Sequence, residues 1–79
     1  MHAVEDRIAD LLVTNLRVPA DTITTDATFE SLGIDSLILV ELALMLGDEF
    51  GVEIHDGELI PGMTIGTVAT LVTERRAAR

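Results

Sequence analysis

GIDSLILVELALMLGDEFG, residues 33–51, decides the fold. At about 100° per residue, Leu39, Leu42, Ala43, Leu46 and Phe50 fall on one side of a helix, a stripe suited to a core. Leu37, Glu41, Leu44 and Asp48 form a second stripe at spacings of four, three and four, in which leucines alternate with carboxylates. A fully buried helix would not carry those two acids, so this second stripe suits an exposed face that docks through apolar contact rimmed by charge. The expected helix runs from Ser36 to Phe50, roughly 22 Å at 1.5 Å per residue, with Ser36 as its N-cap and Gly51 as its stop.

Working outward, Val4, Ile8, Leu11, Leu12 and Leu16 recur at helical spacing, which predicts a first helix from about Ala3 to Leu16. Pro19 ends it, because the proline ring obstructs continuation and restricts the residue before it. The connection from Arg17 to Asp35 is long for a compact domain and is a candidate functional loop. Within it Phe29 and Leu32 are expected to pin the loop to the core in a short helical turn that Gly33 closes with left-handed geometry. Downstream, a short turn is expected around Asp56 to Ile60, broken by Pro61 and Gly62. Thr64 then caps a last helix whose Ile65, Val68, Ala69, Leu71 and Val72 face inward. The sequence thus predicts one all-α domain over residues 1–79, a small four-helix bundle of three long helices and one short one with a long first loop.

The chain has 79 residues, 48% of them hydrophobic, and a mean hydropathy of +0.42. That is enough apolar mass for one core and too little length for two domains. Fourteen acids face five arginines and no lysine, a formal net charge of −9. All five arginines (Arg7, Arg17, Arg75, Arg76 and Arg79) lie near the ends, and no lysine or arginine occurs from Val18 to Thr73. This one-signed stretch opposes binding to nucleic acid or an anionic membrane and favours steering of basic protein partners. With only Phe29 and Phe50 as aromatics, a stacking platform for bases is absent. Cysteine is absent too, which excludes a disulfide framework, a thiolate metal site and a cysteine nucleophile. No apolar run approaches a membrane span and residues 1–17 do not form a signal-peptide core, so a cytoplasmic monomer is expected. A calcium loop is not expected, because Asp56-Gly57-Glu58 lacks the alternating acids such a loop requires.

Chemistry concentrates at Gly33-Ile34-Asp35-Ser36-Leu37, where a loop hands over to the acidic helix. With Phe29-Glu30-Ser31-Leu32-Gly33 upstream, Val40, Glu41, Leu42, Leu46 and Phe50 on the helix, Gly51-Val52-Glu53-Ile54 after it and Met63-Thr64-Ile65 at the last helix, the chain resembles the acyl carrier protein family. The resemblance covers essentially the whole chain, including its acidity and its order of helices. It implies that Ser36 is the attachment point for 4′-phosphopantetheine, donated from coenzyme A by a phosphopantetheinyl transferase, with Asp35 and Leu37 beside it. Independently of any family, a serine in the first turn of a helix presents a hydroxyl where free N–H groups and the positive helix end favour a phosphate.

The same resemblance implies a non-catalytic carrier that holds acyl groups as thioesters and presents them to acyltransferases, ketosynthases or acyl-activating ligases. The docking face expected for these partners is Leu37, Ile38, Glu41, Leu44 and Asp48. Val40, Leu46, Ile54, Met63, Ile65 and Ala69 are expected to line the bundle interior and to meet any acyl chain it shelters. No residue is assigned a catalytic role and no metal ligands are expected. Carriers of primary fatty acid synthesis hold acids where this chain has Ile38 and Gly47, which points instead to a polyketide or related specialised pathway. Gly47 in mid-helix is expected to leave room for a close approach by a partner or a neighbouring helix. The alternatives are a peptidyl or aminoacyl carrier of nonribosomal peptide assembly, against which Ile34 weighs, and an unmodified acidic helical adaptor.

Overall fold

The computed structural model describes residues 3–24, 26–55 and 57–78, and within them the chain is all-helical. Helix α1 spans Ala3–Asn15, α2 spans Ser36–Phe50 and α3 spans Ile65–Ala77. A single 3-10 turn, Ala20–Thr22, interrupts the first loop. The core is built from the stripes read in the sequence: Ile8 and Leu12 of α1, Leu39, Leu42 and Leu46 of α2, and Val68 and Val72 of α3 are fully buried. Phe29 joins them from the loop with no exposed surface.

The expected fourth helix is not formed by the described residues of the second loop; Asp56, its expected first residue, lies outside them. From Gly57 to Ile60 the chain makes only a turn and bends. Gly57 takes a left-handed φ of 88°, and the Glu58 side chain bends back to accept from the His55 N–H at 2.6 Å. A segment this short cannot repay the nucleation cost of a helix when its side chain and backbone find such partners.

The long first loop is anchored rather than loose. The Phe29 N–H donates to the Met63 carbonyl at 3.0 Å and the Glu30 N–H to the Pro61 carbonyl at 2.8 Å, and Thr28 pairs with Thr64 in an isolated antiparallel bridge. These bonds join the turn before α2 to the residues before α3. The turn from Phe29 closes as expected: the Ile34 N–H returns to the Phe29 carbonyl at 2.9 Å, with Gly33 at a φ of 79°. Ile34, buried, then fixes the point at which the chain enters α2.

Helix ends follow local chemistry. Thr64 accepts from the Thr67 N–H at 3.2 Å and caps α3 as expected. Gly51 ends α2 in the left-handed conformation, its N–H on the Gly47 carbonyl at 2.9 Å. That turn explains Gly47: a Cβ there would meet the Val52 carbonyl oxygen at 3.0 Å, so the close approach is by the chain's own next turn and not by a neighbouring helix.

Candidate functional site

At the start of α2 the N-cap is Asp35, not Ser36. Asp35 has extended backbone angles and its carboxylate accepts from the Ile38 N–H at 3.0 Å. Both residue types make good caps; the chain takes the earlier one because helical geometry already begins at Ser36. The correction changes what Ser36 is free to do. Its side chain is exposed and no hydrogen bond to its hydroxyl occurs among the described residues.

Asp35 also receives the Leu39 N–H on its carbonyl at 3.0 Å. The cap therefore satisfies the third and fourth N–H groups of the helix and leaves those of Ser36 and Leu37 without an internal acceptor. An exposed hydroxyl thus sits over two free donors at the positive end of a helix of 15 residues. This arrangement favours a phosphoryl group on that oxygen.

Around this point α2 presents the mixed stripe to solvent. Leu37 is 76% exposed and Leu44 69%, with Glu41 and Asp48 exposed between and beyond them. Ile38, grouped with that stripe in the sequence, is half-buried and packs against the core. Val40, expected inside, is instead 41% exposed. It follows the fully buried Leu39 and lies about 100° further round the helix, where the core no longer reaches. Of the five large apolar side chains exposed among the described residues, Leu37, Val40, Leu44 and Ile60 lie on α2 or on the loop beside it, and only Val13 is elsewhere.

Two grooves flank the start of α2. The first, about 180 Å³, opens at Ser36 between Leu39, Val40 and Ala43 on the helix and Leu59 and Ile60 on the second loop. Of the residues expected along an acyl path, only Val40 lines it. Leu46, Ile65 and Ala69 are buried in the packed core, and Ile54 and Met63 are half-buried at its edge. Leu46 stands ten residues beyond Ser36, roughly 15 Å along the helix, too far to border this opening. The second groove, about 300 Å³, lies on the other flank between the end of α1 and Ile38 and Glu41, with Gly33 and Ile34 in its wall.

The loop that walls the first groove is clasped to α3. Arg75 donates to both Glu58 oxygens, one of them at 3.0 Å, and to the Glu53 carbonyl at 2.6 Å. The Arg75 hydrogen bonds, followed by the His55 N–H, hold the Glu58 carboxyl far below its usual range, at about 2. Arg7 clips α1 to α2 through Glu49 at 2.7 Å, which likewise lowers the Glu49 pKa. These pairings join residues 17 to 42 positions apart, and no local sequence pattern announces them. Val40 was legible: with Leu37 and Leu44 it completes a three-then-four spacing on one face.

The family model described as a phosphopantetheine attachment site matches residues 6–74, from the first turn of α1 to the last turn of α3. Among the described residues, no helix is long and apolar enough to cross a membrane.

Proposed function

The chain belongs to the phosphopantetheine-attachment family, whose members carry 4′-phosphopantetheine covalently, and from that premise we propose that it is an acyl carrier modified on the Ser36 hydroxyl. The observation that carries the assignment is the state of that hydroxyl: exposed, without an internal hydrogen bond, and above the free N–H groups of Ser36 and Leu37. In loading, the Ser36 oxygen attacks a phosphorus of coenzyme A. The Oγ–P bond forms as the P–O bond to the nucleotide breaks, and the hydroxyl proton leaves to a base that the transferase supplies. Asp35 holds the helix start rigid for this approach by occupying the Ile38 N–H.

The attached group supplies the thiol that this cysteine-free chain lacks, and acyl groups ride on it as thioesters. The chain's own part is non-catalytic: it tethers the intermediate at high local concentration and offers one face to successive enzymes. Leu37 and Leu44 give that face its apolar contact, with Glu41 and Asp48 as the acidic rim. The apolar Ile38 and the glycine at Gly47, in place of acids, support service in a polyketide or related specialised pathway.

The test is the intact mass of the purified protein before and after incubation with coenzyme A, magnesium and a broad-specificity phosphopantetheinyl transferase. A gain of one phosphopantetheine, absent in Ser36→Ala, is expected. A folded, unmodified protein that gains nothing while a known carrier is loaded in parallel would overturn the proposal in favour of an unmodified adaptor.

A further inference from the structure

Four arginines fall within the described residues, and three of them are used inside the fold. Arg7 pairs with Glu49 and Asp10, Arg75 with Glu58, and the Arg76 guanidinium lies 5.6 Å from the centroid of the Phe50 ring. Arg17 alone among them has no ion pair, hydrogen bond or ring contact.

Its backbone is also unusual. Arg17 is the only non-glycine residue at positive φ among the described residues, at 59°. That turn ends α1 and lets the Val18 N–H reach back to the Leu12 carbonyl at 3.0 Å, sending Val18 into the core. A glycine would take the same conformation without the steric cost that a Cβ adds. A strained position that keeps a long charged side chain with nothing inside the molecule to hold invites the question of what lies outside.

The position of Arg17 supplies an answer. It lines the groove on the Ile38 flank of α2 together with Glu41, Gly33 and Ile34. Gly33 and Ile34 of its lining precede Ser36 by three and two residues, which puts this groove beside the ground an enzyme acting on the Ser36 hydroxyl approaches.

We propose that Arg17 is a docking residue for the phosphopantetheinyl transferase, received by an acidic side chain on that enzyme while basic side chains meet Glu41 and Asp48. The inference rests on the carrier reading above. It follows from charge complementarity. A transferase surface that is basic enough to bind a chain of net charge −9 would repel Arg17 unless it placed an acid opposite. The face is therefore two-signed, and a two-signed face fixes orientation and rejects rotated encounters that an all-acidic one would tolerate.

Three variants separate charge from strain. Arg17→Gly removes the cation and relieves the backbone, Arg17→Glu reverses the charge, and Arg17→Lys keeps both charge and strain. Loading kinetics with a broad-specificity transferase and coenzyme A are measured at low and at high salt, beside thermal unfolding of each protein. The Gly variant is expected to melt no lower than wild type yet to lose about threefold to fivefold in kcat/KM, through KM, the scale of one exposed charge pair. The Glu variant is expected to lose about tenfold or more, the Lys variant to stay within about twofold, and all differences to shrink at high salt. Wild-type KM in both the Gly and Glu variants at low salt overturns the inference, as does a Gly defect that Lys shares. If wild-type protein is not loaded at Ser36 at all, it is the carrier reading that falls.

Discussion

The exchange of roles at the start of α2 gives a prediction that can be worked through in numbers. If Asp35 is the cap, Asp35→Ala removes the acceptor of the Ile38 N–H at 3.0 Å and costs about 1 kcal/mol. The carboxylate also sits at the positive helix end, which is worth a further ~0.3–1 kcal/mol. The expected loss is therefore about 1.5 kcal/mol, or some 6–12 °C in Tm for a domain of this size. Asp35→Asn keeps the acceptor and should lose only the smaller, electrostatic part. Ser36→Ala removes an exposed hydroxyl that bonds to nothing inside the chain and replaces serine by a better helix former, so its stability should match or exceed wild type by up to ~0.5 kcal/mol. Urea unfolding of the unmodified proteins, followed by circular dichroism at pH 7 and analysed at constant m, reads both changes directly. A Ser36→Ala loss near 1 kcal/mol beside a neutral Asp35→Ala would refute the reasoning and restore Ser36 as the cap. The expected order also makes the loading test clean, because a Ser36→Ala protein that stays folded fails to load for want of an oxygen alone.

Three other perturbations check separate parts of the structure. Glu58 is held at about 2 by Arg75 and the His55 N–H. Its folded value lies below the ordinary 4.5, so its contribution is complete above pH 4.5 and fades as pH falls toward 2; the Tm gap between wild type and Glu58→Gln should be open at pH 6 and close over that window, and a gap independent of pH would count against the clasp. Gly47→Ala should not yield the ~1 kcal/mol that alanine normally brings to a helix interior, because the new Cβ meets the Val52 carbonyl at 3.0 Å; a variant more stable by that full amount would show the approach to be soft. Replacing both Glu41 and Asp48 by Arg should leave circular dichroism unchanged while lowering transferase kcat/KM at low salt, and an unchanged rate there would remove the acidic rim from the docking face.

What the sequence made legible was periodic or local. The α2 stripe of Leu39, Leu42, Ala43 and Leu46 is buried as its spacing requires, and the stops at Gly51 and the cap at Thr64 lie within a turn of the residues that explain them. α1 ends at Asn15 rather than Leu16, a difference at a fraying end. The choice between Asp35 and Ser36 was not legible, since two adjacent good caps are separated only by where helical geometry begins. The second loop failed for another reason. The sequence predicts a fourth, short helix, but Gly57–Ile60 is held as a turn by the local bonds between Glu58 and His55 and also by Arg75, which arrives from α3. The groove beside Ser36 needed the same long-range information, because Leu59 and Ile60 reach it from the far side of the chain. Interior lining residues were chosen on burial alone, and burial does not say which residues border the groove at Ser36: the buried Leu39, Ala43 and Leu59 do, and the buried Leu46, Ile65 and Ala69 do not.

The arginines show how one sequence fact divides into two structural ones. In the sequence they are merely terminal. In the fold, Arg7 and Arg76 reach Glu49 and Phe50 at the end of α2, and Arg75 reaches Glu53 and Glu58 just beyond it. Cations near a helix C-terminus are favourable in themselves, and here each also ties a second element to that end. The Arg7 and Arg76 contacts therefore stand roughly 20 Å from Ser36, the length of α2 at 1.5 Å per residue, whereas the Arg75 clasp holds the loop whose Gly57 and Leu59 wall the groove at Ser36. The opposite end is left with free N–H groups, an unbonded hydroxyl, exposed leucines and Arg17. A domain with a net charge of −9 works against its own repulsion; Arg7 and Arg76 hold the far end of α2 and Arg75 holds the second loop, while the N-terminus of α2 itself stays open to partners. By this logic Arg17 is the exception that needs a cause, since as a structural clip it clips nothing, and as a turn residue it is worse than glycine.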